Sequence, residues 1–333
     1  MELSYVGNHT DFMQSYTNTF NAIPLGTINP AAAIANHPDE CFTNNSDTVG
    51  SNPCLAFYRP YPDYTTINES ITAGKAQYDG LQASVRRNIG FMTLNANYTW
   101  SKAVGDGAQL SNGAFPSAIP ISQAEHYLWG VLPQDRKHAF SAAYVFNLPN
   151  SHSGNGLVKG LANGWQISGI TTVQSGSQVF IQGGTNFNFN LQQGNVGPNQ
   201  DNVHLLGSPD ITLYPLIVCN PAQGSNNQFI NPDCFKPAPA GSLGTGSMPY
   251  LPGPMFWNSD LAVMKNIRIT EHQSLQFRAS AFNFMNHPLL SFTNGDNNLK
   301  LTFDSNGNAN PDFGKATYYV GRRIVELGVR YSF

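Results

Sequence analysis

Apolar and polar side chains alternate by twos along eight stretches of this chain, and the last stretch is the most regular. In "GRRIVELGVRYSF", Val325, Leu327, Val329, Tyr331 and Phe333 are apolar or aromatic. Between them, Glu326, Gly328, Arg330 and Ser332 are charged, small or polar. Period two is the side-chain repeat of a strand with one apolar face. Chain ends are usually frayed and polar, so a strand closing on an aromatic needs a reason. The edge of a soluble sandwich is one. A bilayer, which a strand of roughly 9–11 residues can cross, is the other.

Seven earlier segments carry the same signal. They are "ELSYVG" (Glu2 to Gly7), "AQYDGLQASVR" (Ala76 to Arg86), "FMTLNANYTWSK" (Phe91 to Lys102), "KHAFSAAYVFNL" (Lys137 to Leu148), "WQISGITTVQS" (Trp165 to Ser175), "WNSDLAVMKNI" (Trp257 to Ile267) and "SLQFRASAFNFM" (Ser274 to Met285). Their connections alternate in length. "RNIG" (Arg87 to Gly90), a Gly- and Asn-rich turn at Pro149 to Gly164, and "RITEHQ" (Arg268 to Gln273) are short. Residues 8–75, 103–136, 176–256 and 286–320 form the long ones. Soluble domains seldom hold repeated unstructured loops beyond about 15 residues, whereas outer-membrane barrels pair short periplasmic turns with long extracellular loops. The pattern predicts an all-β fold: an antiparallel transmembrane β-barrel segment of about eight to ten strands, a partial barrel with long extracellular loops.

The register of the terminal strand follows from magnitudes. A one-residue flip would turn Glu326 and Arg330 toward lipid, and an Arg at the midplane costs roughly 2–4 kcal/mol. The odd positions therefore face outward. Trp100, Trp165, Trp257 and Tyr331 fall near strand ends, as an interfacial aromatic girdle requires.

Composition agrees. Charged residues are 11% of the 333, against about 25% in soluble domains. Mean hydropathy is still −0.27, because Asn, Gln, Ser, Thr and Gly supply the polarity. No stretch reaches the roughly 20 apolar residues of a membrane helix. The N-terminal "MELSYVGNHTDF" has no basic-then-apolar signal pattern, so Met1 is expected not to be the true start. The net charge of −3 gives nucleic acid no electrostatic footing. Four cysteines fall in two local pairs, Cys41 with Cys54 and Cys219 with Cys234. Two within-loop disulfides, each stabilising by about 3 kcal/mol, imply an oxidising compartment. Four free thiols are the alternative.

Several segments resemble the C-terminal part of TonB-dependent outer-membrane receptors, the Oar-like group with a carboxypeptidase-regulatory-like N-terminal domain. They are "LSYVGNH", "RPYP" (Arg59 to Pro62), "YDGLQASVRR", "NYTWSKA", "DRKHAF" (Asp135 to Phe140), "GWQISGI", "LQFRASAFNFMNHP" (Leu275 to Pro288) and the closing "GRRIVELGVRYSF". The resemblance spans nearly the whole chain. It implies that Gly328, Tyr331 and Phe333 form the signal read by the barrel-assembly machinery, and that outer-membrane lipid is the surrounding phase. It implies a contact with TonB only through an N-terminal part, with residues 1–333 as the C-terminal portion of the barrel and the plug and N-terminal domains absent. The ligand of such receptors, a siderophore, cobalamin, glycan or peptide, is not legible here.

Catalytic signals are weak. GxxxxGK[ST], HExxH and GxSxG are all missing, so no cofactor and no enzymatic activity are expected. Asp135, Arg136 and His138 cluster at a strand start, where such residues face lumen or solvent. "DSNGNANPD" (Asp304 to Asp312) lacks the bidentate Glu of a calcium loop and reads as a solvated turn. A secreted all-β carbohydrate-binding or adhesin module is the main alternative to a membrane wall. A self-standing small barrel is another, since eight strands can close.

Overall fold

The computed structural model describes residues 1–13, 16–19, 21–27, 58–64, 67–72, 74–106, 129–132, 134–151, 155–179, 206–208, 210, 215–222, 227–242, 244, 251–292, 301–304 and 306–333. Eight long strands run in chain order across one antiparallel sheet. They are β1 (Glu2–Met13), β2 (Gly74–Ile89), β3 (Met92–Asp106), β4 (His138–Asn147), β5 (Trp165–Gln174), β6 (Phe256–Arg268), β7 (Ser274–Phe282) and β8 (Ile324–Ser332). A ninth, Trp129–Val131, extends the sheet beside the end of β3. Among the described residues β1 pairs only with β2 and β8 only with β7, so the sheet stays open. All eight segments marked by period-two alternation are wall strands, and every long connection leaves from the same end of the wall.

Several boundaries differ from the sequence reading. β2 and β3 run through most of the expected Arg87–Gly90 turn, and β3 continues to Asp106. Three further departures have local detail. β1 continues past Gly7 to Met13, with its register shifting between Thr10 and Met13. β7 stops at Phe282 rather than Met285. Asn283 there takes a left-handed φ of 47°, a conformation Asn tolerates better than most residues. Its side chain then fixes the turn, donating to the carbonyls of His287 (3.0 Å) and Gly321 (2.9 Å) and accepting from the His287 amide. Gly321 lies three residues before β8, so this one side chain also anchors the approach to the terminal strand.

The third difference is a short helix, α1 (Gly156–Ala162), inside what reads as a plain turn. Its end carbonyls are satisfied from the wall. Trp165 Nε1 donates to Leu161 O at 2.7 Å. Lys265 Nζ donates to Leu161 O at 3.0 Å and also to Asn163 O. The Lys265 ammonium lies 5.1 Å from the Trp165 ring centroid, so it is held at the short-turn end beside an aromatic face.

The deepest burial lies in the long loops, not on the sheet. Ile23, Leu206, Ile230, Phe235, Leu301 and Phe313 are almost fully buried, and all belong to long connections. Phe235 meets Phe313 edge-on at 5.3 Å. Gly314, at φ 82°, lets the chain pass Ile230, whose Cβ a side chain would meet at 2.2 Å. The loops therefore form a cap with its own apolar core at one end of the wall.

Candidate functional site

Register places the side chains of paired residues on one face, and following a row across the wall shows what that face is. Leu327 faces Ala279, which faces Val263, then Ile167, Phe146, Met92 and Ile89. Every member is apolar. The neighbouring row on the opposite face reads Glu326, Ser280, Ala262, Ser168, Val145, Thr93 and Asn88. Polar groups dominate it. Large apolar side chains on the first face stay open to the surroundings: Leu327 is 82% exposed and Phe333 93%. Soluble monomers rarely expose a continuous apolar face. In a bilayer it is the lipid surface of a barrel.

The aromatics bound that face at both ends. Trp100 on β3 and Trp257 on β6 lie toward the long loops, while Trp165 on β5 and Tyr331 on β8 lie toward the short turns. The Trp257 ring meets that of His287 at a centroid separation of 4.7 Å. Tyr331 stacks with Phe333 at 5.7 Å. At Gly328 an added Cβ would meet no atom within 4 Å, so nothing in the folded wall requires glycine there. Gly169 is different. Its Cβ would lie 2.5 Å from the hydroxyl of Tyr144, the residue facing it across the ladder, and 2.7 Å from Asp260 O. Overpacking of this kind costs roughly 1–3 kcal/mol. Gly169→Ala is expected to lower denaturant stability in bilayers by that amount, and Tyr144→Ala in the same chain is expected to recover part of it.

The cap is tied across loops by a cluster around the "RPYP" segment. Arg59 grips Asp210 through both guanidinium nitrogens, at 2.8 and 3.1 Å, and also donates to Asn21 O at 2.7 Å. The Arg59 side chain is only 7% exposed. Asp210 accepts in addition from the Ile23 amide. The Asn21 side chain donates to the carbonyls of Tyr61 and Tyr64 and accepts from the Tyr61 amide. The first and third long loops are thus one unit. The third and fourth are joined where Phe229 N donates to Gly314 O and Ala316 N to Asn227 O, both at 2.9 Å. Cys219 and Cys234 are disulfide-bonded in that region. Cys41 and Cys54 lie outside the described residues.

Asp135, Arg136 and His138 do not converge on a reacting centre. Asp135 accepts from Ala103 N at 2.7 Å, filling the gap where β3 has lost its partner between Val131 and His138, and from Gln178 Nε2 at 3.2 Å. Arg136 donates to the Asp135 carbonyl. His138 Nδ1 meets the Tyr98 hydroxyl at 2.7 Å on the apolar face. Among the described residues no group of His, Cys, Asp or Glu could hold a metal.

Asp304 closes a turn in the fourth long loop. Its carboxylate accepts from the amides of Asn308 (2.8 Å) and Asn306 (2.9 Å) and from the Asn308 side chain. The Asn308 amide leads the effects that hold its pKa below the ordinary aspartate value. The sign follows: this turn gains stability above the usual aspartate range and loses it as pH falls through the lower folded value. Amide shifts of Asn306 and Asn308 are expected to report that titration, and Asp304→Asn is expected to remove it.

A groove of about 690 Å³ opens at the long-loop end of the wall, beside Tyr5, Leu81 and Trp100. No pattern of spacing marked it, because its lining comes from strands and loops far apart in the chain.

An antiparallel wall, apolar on one face, bounded by aromatics and capped by loops at one end, defines a membrane-spanning β-barrel protein. No helix among the described residues is long and apolar enough to cross a membrane. The chain belongs to the outer membrane beta barrel domain family, whose model matches residues 1–326, and its place is the bacterial outer membrane. No curated protein and no solved structure matches it.

Proposed function

We propose that the chain is part of the barrel of a TonB-dependent receptor of the Oar-like group, in which the wall carries long extracellular loops that contribute to ligand uptake. The observation that carries this reading is the open wall. Eight strands lie side by side in chain order, and the first and last do not meet. Such a sheet fits the circumference of a large plugged transporter better than that of a small closed barrel. The quoted resemblance segments fall at structural joints, which supports the same reading. "RPYP" holds the loop clamp, "DRKHAF" the β3–β4 rim, and "FNFMNHP" the turn leading to β8.

On this reading the partners are outer-membrane lipid, the barrel-assembly machinery acting on Gly328, Tyr331 and Phe333, and a small ligand met by the cap. TonB would act through a preceding plug region. We assign the chain no reaction of its own. The genomic sequence ahead of Met1 tests the proposal. An open frame encoding further alternating strands and a plug supports it. A stop codon and a ribosome-binding site with nothing before them overturn it.

A further inference from the structure

We propose that α1 is an interfacial anchor, held on the lipid side of the wall by Lys265 and Trp165, with Val158 and Leu161 inserted among the phospholipids of the inner leaflet. The inference rests on the outer-membrane placement of the wall and not on the transport reading. Lys265 fixes the side. Register gives this residue to the apolar face: Val263 faces Ile167, and two residues on, Lys265 faces Trp165 and Phe277, which in turn faces Val329. Lys265 is thus a cation in a row otherwise made of Trp165, Phe277 and Val329, and an ammonium on a lipid face is costly unless it is paired. It is paired, and Lys265 is only 8% exposed. Its ammonium donates to Leu161 O and Asn163 O and lies beside the Trp165 ring, and the Trp165 indole donates to Leu161 O as well. Two side chains of the apolar face therefore hold one carbonyl of α1. The C-terminal end of the helix lies on the lipid side of the rim, at the level of the aromatic girdle.

Continuity with the lipid face selects the occupant. The short turns of an outer-membrane barrel lie on the periplasmic side, so this rim meets the inner leaflet. From Val158 to Ala162 every residue of α1 is exposed, with Leu161 at 75% and Val158 at 44%. Val158, Leu161 and Ala162 stand at i, i+3 and i+4 and share one side of the helix, while Lys159 lies across the axis from Leu161. An apolar stripe backed by a lysine is the pattern of a helix that lies in the plane of a membrane surface. The stripe continues an apolar surface that is already there: Leu148, on the same face of the wall as Phe146, is exposed and its amide donates to Trp165 O. A helix of seven residues is not stable alone in water. Here its last carbonyls are tied to the wall, and the phase that covers Leu148 and Trp165 covers Leu161 and Val158 too.

The test places a fluorescent unnatural amino acid singly at Leu161, Lys159 and Leu327 of the full chain, reconstituted in phosphatidylcholine nanodiscs so that aqueous iodide reaches both membrane faces. Phosphatidylcholines brominated near the head group or near the chain end report contact with lipid at two depths. The label at Leu161 is expected to be quenched by lipid and shielded from iodide, with the shallow bromines stronger than the deep ones. At Leu327 the order of depth is expected to reverse, and at Lys159 iodide is expected to quench and lipid to have little effect. The label keeps the Leu161 carbonyl, so the contacts that hold the helix end are retained. Lys265→Met/Trp165→Phe, which removes both donors, is expected to lose the lipid quenching at Leu161 and keep it at Leu327. If that variant does not fold, the comparison of Leu161 with Lys159 in the otherwise unaltered chain decides. Iodide quenching at Leu161 equal to that at Lys159 overturns the proposal, because α1 then stands in water. Unchanged lipid quenching in the folded double variant overturns it as well, because the two side chains then do not place the helix. So does shielding that disappears at one protein copy per disc, because a second copy then covers the stripe.

Discussion

Replacing Leu327 with Arg will lower the unfolding free energy of the protein in bilayers by about 2–4 kcal/mol, the cost of a cation on the lipid face near the midplane. Leu327 sits in the middle of β8, 82% exposed, facing Ala279 across the only ladder that β8 makes among the described residues. The middle of the strand is too far from either interface for easy snorkelling. The control is one residue away. Glu326 faces Ser280 on the polar face, so Glu326→Gln will change stability by no more than about 0.5 kcal/mol. Urea titration of refolded protein in thin bilayers measures both. A soluble edge strand would tolerate Arg at an exposed position as readily as at any other.

Arg59→Ala will loosen the cap and leave the wall intact. The substitution strands the Asp210 carboxylate beside the Ile23 amide with its bidentate partner gone. Breaking a buried pair costs about 3–5 kcal/mol, and about 3 is appropriate here because the Asp210 side chain keeps 21% exposure. The Asn21 carbonyl loses a donor in the same step. Proteolysis will cut within the first and third loops at protease levels that spare the parent, while the strands stay protected. Arg59→Lys will restore only part of the resistance, because an ammonium cannot reproduce the two-nitrogen grip. Arg59→Met with Asp210→Leu will be closer to the parent than Arg59→Ala, since no unpaired charge remains.

The wall was readable in the sequence because a strand with two unlike faces writes its period into the chain. Leu94, Ala96, Tyr98 and Trp100 alternate with Asn95, Asn97 and Thr99, and that pattern alone gives strand, face and register. The cap left no such trace. Ile23, Leu206, Phe235 and Phe313 share no repeat, and they come from loops far apart in the chain. The helix at Gly156–Ala162 was invisible for another reason. It is a seven-residue segment with glycines at 156 and 160 and no acidic residue in its first turn, so no capping pattern announces it. Its end carbonyls are met by Trp165 and Lys265, and Lys265 lies far along the chain. The end of β7 was misplaced because apolar alternation runs on through "FNFM", whereas Asn283 turns the backbone. The cysteine pairing at Cys219 and Cys234 was legible from proximity in sequence, while the Arg59–Asp210 clamp, joining residues 151 positions apart, was not.

The central claim is that the odd positions of β8 face lipid. Spin labels placed singly from Val325 to Tyr331, in protein reconstituted into vesicles, test it through collision with oxygen and with a water-soluble nickel chelate. Oxygen is enriched in the bilayer core and the chelate in water. High oxygen accessibility at 325, 327, 329 and 331, with low values at 326, 328 and 330, is the predicted result. Flat profiles, or chelate accessibility peaking at Leu327 and Val329, would contradict a membrane-facing wall.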